Sequence, residues 1–153
     1  METFTFLFTD IEDSTALVRR LGEGLYAQLL ADHHALIRSG LAAHGGREVD
    51  TQGDAFFVVF SSLRACVAAV IETQQDLQAH AWPGGEHVRV RMGVHTGEAE
   101  ETATGLVGVE VHRAARVAAA GHGARSCCRR RRLPWCATLF RPGRRSEISV
   151  CTG

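Results

Sequence analysis

The stretch Val49–Phe60, VDTQGDAFFVVF, leaves the chain few ways to fold. Arg47–Thr51 and Ala55–Phe60 are β-forming runs, and Gln52–Gly53 between them carries hairpin turn chemistry. A second β-rich run, Thr3–Phe8, stands near the N-terminus. Val88, Val90, Met92 and Val94 alternate with Arg89, Arg91 and Gly93, the period of a half-buried strand. Helical periods fill the spaces between. Thr15–Leu21 reads as a short helix, and Gly24–His44 as a longer one with Leu25, Leu29, Leu36 and Leu41, flanked by Leu30 and Ile37, on its apolar side. Gly45–Gly46 stops it, because glycine takes the left-handed cap conformation without steric cost. Ser62 caps another helix, expected to reach about Ala81 with Leu63, Val67, Val70, Ile71 and Leu77 on one face.

The order is strand, helix, hairpin, helix, strand. That is the βαββαβ pattern of a ferredoxin-like α+β fold, with its helices on one face of the sheet. In such a sheet the first strand lies beside the third and runs antiparallel to it. Asp10 follows the first strand and Asp54 precedes the third. Topology alone therefore predicts that the two carboxylates share one sheet edge. Aspartate is common in turns, but a pair on one edge suits Mg²⁺, which takes oxygen ligands and shares them with substrate phosphates. Glu98–Thr104 reads as a short strand or a loop, and Val109–Ala120 as a helix.

Net charge is zero, but unevenly spread. Residues 1–124 hold 9 Arg against 16 acidic residues, net −7, and residues 125–153 hold 8 Arg against 1 acidic residue, net +7. Four of the five cysteines fall in that last stretch, and none of the eight histidines does. The expected division is a domain over 1–124 and a non-matching, Arg- and Cys-rich tail over 125–153, outside the core. The abrupt shift looks like a change of reading frame in a GC-rich gene; a basic tail that binds acidic partners, nucleic acid nonspecifically among them, is the other reading. Cys127, Cys128 and Cys136 lack the paired spacing and fourth ligand of a zinc site. His33–His34, His44 and His95 show no metal-binding spacing. No run is apolar enough to span a bilayer, and no signal peptide precedes the first strand, so a soluble, cytoplasmic domain is expected.

FTDIEDST, VDTQGDAFF and HRAAR, in this order, resemble the catalytic domain of the class III adenylate/guanylate cyclases over about residues 3–124. Nothing in Arg125–Gly153 matches the family's further strands and helix, so the domain is expected to be truncated at its C-terminus. The resemblance implies two Mg²⁺ or Mn²⁺ ions held by Asp10, Asp54 and the backbone oxygen of Ile11. It implies Arg116 as the transition-state arginine, with His112 where the family's asparagine usually stands. Asp50 and Gly105 fall at the base-reading positions, and Thr9 and Thr15 flank the phosphate-binding turn. The implied reaction is attack of the ribose 3′-hydroxyl of a nucleoside triphosphate on its α-phosphate, in a homodimer, for cyclic-nucleotide signalling. Adenylate cyclases usually carry lysine at the Asp50 position and guanylate cyclases glutamate, so GTP and ATP both remain candidates, with Asp50 leaning to GTP. Two alternatives stand beside this reading. One is a catalytically degenerate nucleotide-binding or regulatory module, suggested by Gly105, His112 and the unmatched terminus. The other is a diguanylate-cyclase-like palm, which leaves Arg116 without a role.

Overall fold

A computed structural model describes residues 2–102, 105–107 and the backbone of 138–140. Strand β1 (Glu2–Ile11) leads into helix α1 (Ser14–Ala42). The hairpin β2 (Arg47–Gln52) and β3 (Ala55–Phe60) follows, then α2 (Leu63–Ala79) and the long β4 (Val90–Thr102). Two short strands, β5 (Gly105–Val107) and β6 (Thr138–Phe140), both pair with β4.

The main sheet runs β2-β3-β1-β4-β5. β1 lies between β3 and β4 and is antiparallel to both, so each helix crosses over one intervening strand. This is the α+β arrangement expected from the order of periods. β1 alternates cleanly. Leu7 and Ile11 join Phe56, Val58, Phe60, Val90 and Met92 in a core with α1 and α2. Phe4 and Phe6 lie on the other face with Val59 and Ala99.

α1 is broken at Gly22, whose φ of 76° and ψ of 166° leave the helix for one residue. The break separates the short and long helices read from the sequence. Past it, Leu29, His33, Ile37 and Leu41 are buried at four-residue spacing, while Leu25, expected on this face, is 42% exposed. The amide of Gly46 closes the helix on the Leu41 carbonyl at 2.9 Å, with Gly45 at φ 77°. Ser62 caps α2 by accepting from the Ala65 amide.

Of the expected face of α2, Val70 and Leu77 are buried, but the inward side is turned to take in Cys66, Ala69, Thr73 and Gln74, and Leu63 is 39% exposed. Two contacts explain the turn. A Cβ on Gly40 of α1 would lie 2.2 Å from Thr73 Oγ1, so the helices meet at closest approach there. Gln74 Nε2 donates to the Val90 carbonyl at 2.8 Å, which satisfies a polar group that would otherwise be costly to bury.

β4 is longer than the alternation predicted, and its end turns back as β5. Thr138–Phe140, from the stretch expected to stay outside the core, pairs its backbone with Met92–Val94. The physical reason is the free edge: β1 occupies one side of β4, and the other side offers unpaired backbone groups that a short β-forming run can satisfy. The other residues of 125–153, and the helix expected at Val109–Ala120, lie outside the described residues.

Candidate active site

The two aspartates lie at one edge of the sheet. Thr9 pairs with Phe56 in the β1–β3 ladder, so the end of β1 and the start of β3 lie at one sheet edge. Asp54 Oδ2 accepts the Ile11 amide at 2.7 Å, across 43 positions of sequence. Asp10, one residue before Ile11, is held from the other side. Arg91 of β4 donates to both its oxygens, Nε to Oδ1 at 2.8 Å and Nη2 to Oδ2 at 2.7 Å. Both side chains are largely buried, 18% exposed for Arg91 and 16% for Asp10.

The turn after β1 carries Asp13 at φ 55°, a left-handed conformation rare outside glycine. It starts α1: the Asp13 carbonyl accepts from the amides of Ala16 and Leu17. The Glu12 amide is already used by the Arg89 carbonyl. Thr15 is exposed at this helix start, whereas Thr9 is buried, its hydroxyl without a partner, on the helix-covered side of the sheet. Tyr26 stands close by. Burial and then the Asp54 carboxylate raise its phenol above the ordinary value, and Ser14 hydrogen-bonds it.

The other expected residues scatter. Asp50 is exposed on β2 opposite Phe57, accepting from the Thr51 amide at 2.9 Å and from Gln52 Nε2 at 3.0 Å. Phe57 stacks on Phe8 beside it, with ring centroids 4.5 Å apart. Gly105 pairs with Thr102, at the far end of β4 from Arg91. Along an extended strand that separation is roughly 35 Å, so the structure does not bring Gly105 to the Asp10–Asp54 edge. His112 and Arg116 lie outside the described residues.

Three nearby residues were not singled out from the sequence: Arg91, Tyr26 and, in a functional role, His33. The signal for His33 is an imidazole in the apolar series Leu29, Ile37, Leu41. Arg91 and Tyr26 gave none, since each reads locally as an ordinary half-buried residue.

Among the described residues no three His, Cys, Asp or Glu side chains cluster as metal ligands. A Mg²⁺ or Mn²⁺ site built on one or two carboxylates and substrate oxygens needs no such cluster. Asp10, Asp54 and the Ile11 carbonyl, at one sheet edge, would offer oxygen donors only. The guanidinium of Arg91 takes both oxygens of Asp10, so a cation bound there would have to displace it or share them. The residues present fit a hard divalent cation.

The sequence matches the family described as the Adenylate and Guanylate cyclase catalytic domain over residues 1–121. The chain belongs to this family. A receptor-type adenylate cyclase of Trypanosoma congolense is 44% identical to the cyclase domain over 78 residues, which are 51% of this chain and 10% of that relative. An adenylate cyclase of Mycosarcoma maydis is 34% identical over 142 residues, covering 76% of this chain and 6% of that relative. The cyclase domain thus spans a tenth or less of these relatives' length. Among solved structures it is similar to a monomeric guanylyl cyclase domain from Blastocladiella emersonii, with a TM-score of 0.69 and 20% identity over 77% of this chain and 75% of that one. Adenylate cyclases of Trypanosoma brucei in their monomeric state give a TM-score of 0.67 and 27% identity over 76% of this chain and 68% of theirs. No described helix is long and apolar enough to cross a membrane.

Proposed function

We propose that this cyclase domain converts a nucleoside triphosphate to its 3′,5′-cyclic monophosphate and pyrophosphate, in a homodimer, within cyclic-nucleotide signalling. The observation that carries the reading is the shared edge of Asp10 and Asp54, tied by the bond from the Ile11 amide to Asp54 Oδ2. Asp10, Asp54 and the Ile11 carbonyl would hold the metal. Two Mg²⁺ or Mn²⁺ ions, when bound, supply Lewis-acid activation of the attacking 3′-hydroxyl and stabilisation of the leaving pyrophosphate.

The chain's own residues do the rest. The start of α1, with Thr15, offers phosphate oxygens backbone N–H groups that no capping side chain takes. Arg116 neutralises charge developing on the α-phosphate, and His112 donates a hydrogen bond to the same group. Asp50 accepts from the two donors on the guanine edge, N1–H and the 2-amino group, where adenine offers one. Its exposure and its place beside the Phe8–Phe57 pair are compatible with a base lying there. A structure of a relative from Catenaria anguillulae is described as a complex with GTP, which supports a triphosphate as the substrate class. Gly105 gives no side chain to the base, so preference for GTP over ATP is incomplete.

A dimer is supported by the distance between Gly105 and the aspartate edge, which two chains can bridge and one cannot. The alternative of a catalytically degenerate module is favoured by the Arg91 guanidinium on both oxygens of Asp10. Incubation with Mn²⁺ and GTP, followed by product chromatography, decides among the readings. Cyclic GMP, lost in Asp54→Asn, is the expected product. A well-folded dimer that yields no product from GTP or ATP establishes the degenerate module, and cyclic di-GMP the palm-like enzyme.

A further inference from the structure

We infer that His33 is a positioning residue for Asp54, acting through the backbone of the β2–β3 turn. The inference rests on the proposed role of Asp54 in holding metal and adds a residue to it. His33 is fully buried, at 0% exposure, in a stripe otherwise made of Leu29, Ile37 and Leu41. A polar ring in such a place is costly unless it is hydrogen-bonded.

One bond is made. Nε2 lies 3.0 Å from the Asp54 carbonyl oxygen. A carbonyl only accepts, so Nε2 carries the hydrogen and the tautomer is fixed. Nδ1 is then a bare acceptor, buried without a partner. Burial holds the ring's pKa down to about 4, so it is neutral at ordinary pH. A leucine at this position would complete the apolar stripe and orphan no nitrogen. The imidazole adds one thing a leucine lacks, the bond to Asp54.

The surroundings reinforce it. His34, next in α1, places Nε2 2.6 Å from the Gly53 carbonyl. The Phe56 ring stands edge-on to both imidazoles, 5.8 Å from His33 and 5.1 Å from His34. Consecutive histidines therefore grip consecutive carbonyls of a turn whose Gly53 sits at φ 59°. Asp54 is fixed at two points, its carbonyl by His33 and its Oδ2 by the Ile11 amide. Groups that orient a metal ligand in this way typically change metal affinity by about 10- to 100-fold when removed.

The test uses the full chain and Mn²⁺ alone, titrated by electron paramagnetic resonance, with amide exchange of residues 52–55 and melting temperature measured in parallel. His33→Met keeps the bulk and removes the donor. His33→Gln keeps a donor at similar reach. The Met variant should bind Mn²⁺ about tenfold more weakly and exchange its turn amides faster, while the Gln variant stays within about twofold of the native chain. A merely structural role would lower the melting temperature of both and leave the Mn²⁺ affinity of the folded protein unchanged. If His33→Met does not fold, His33→Asn, whose amide is too short to reach the carbonyl, replaces it with the same expectation. Native binding with unchanged affinity and exchange in the donor-less variant overturns the positioning role alone. No Mn²⁺ binding by the native chain overturns the metal reading, and this inference with it.

Discussion

Arg91 and Asp10 face each other on neighbouring strands, 81 positions apart, in a two-bond pair that water reaches only partly. A guanidinium on both oxygens leaves a divalent cation only their remaining lone pairs and repels its charge, so at this residue stability and metal binding compete. The prediction follows for Arg91→Ala. Without metal, the variant loses about 2 kcal/mol of stability, the ordinary value of charge-assisted bonds to a partly buried carboxylate. With metal, the freed carboxylate binds more tightly, so Mn²⁺ raises the melting temperature of the variant more than that of the native chain. Thermal melts with and without Mn²⁺ measure both effects. An equal Mn²⁺ shift in the two proteins means that Arg91 does not compete for Asp10.

The helices stand where they do because α1 and α2 touch at Gly40 and Thr73. A methyl on Gly40 would need the space that the Thr73 side chain fills, with 2.2 Å to Oγ1 and 3.1 Å to Cβ. Gly40→Ala is therefore expected to destabilise by about 1–3 kcal/mol, the usual cost of overpacking a filled core, despite alanine's better helix propensity. Thr73→Ala, which also removes a buried hydroxyl without a partner, should recover much of that loss in the double variant. Denaturant melts of the four proteins give the coupling; strictly additive effects would place the contact elsewhere. The same contact bears on the site, since α1 also carries His33 and His34 to the β2–β3 turn.

For the whole molecule, the long β4 sets the scale. Its start holds Arg91 against Asp10, and its end carries the β5 hairpin with Gly105. Groups roughly 35 Å apart on one strand can serve one nucleotide only if they come from two chains. Asp54→Asn and Arg116→Ala, each inactive alone, should therefore restore up to about a quarter of native activity when mixed in equal amounts. Random pairing makes half the dimers hybrids, and each hybrid holds one intact site of two. Sedimentation of the mixture beside the activity assay checks the point. No restoration in a mixture that does form hybrids would put both residues in the same chain's site.

Much of this is legible in the sequence. The order βαββαβ, the Gln52–Gly53 turn, the glycine stop after α1 and the Ser62 cap all come from local rules, in which a residue's neighbours in sequence decide its backbone. Those elements sufficed to bring Asp10 and Asp54 to one edge, because strand order fixes which ends lie together. The family was legible too, from three short motifs in order. What the sequence left open is which side of an element faces inward and who stands across from it. Val70 and Leu77 are legible on the buried face of α2, but Thr73, Gln74 and Ala69 beside them are not, since their inward turn depends on Gly40 and the Val90 carbonyl. Arg91 looked like an outward residue of an alternating strand until β1 placed Asp10 beside it. Thr138–Phe140 has its backbone partners only at the open edge of β4. Periodicity reports the faces of one element; the partner on the other side, and with it the surroundings of the Asp10 and Asp54 carboxylates, is set only when separate elements pack.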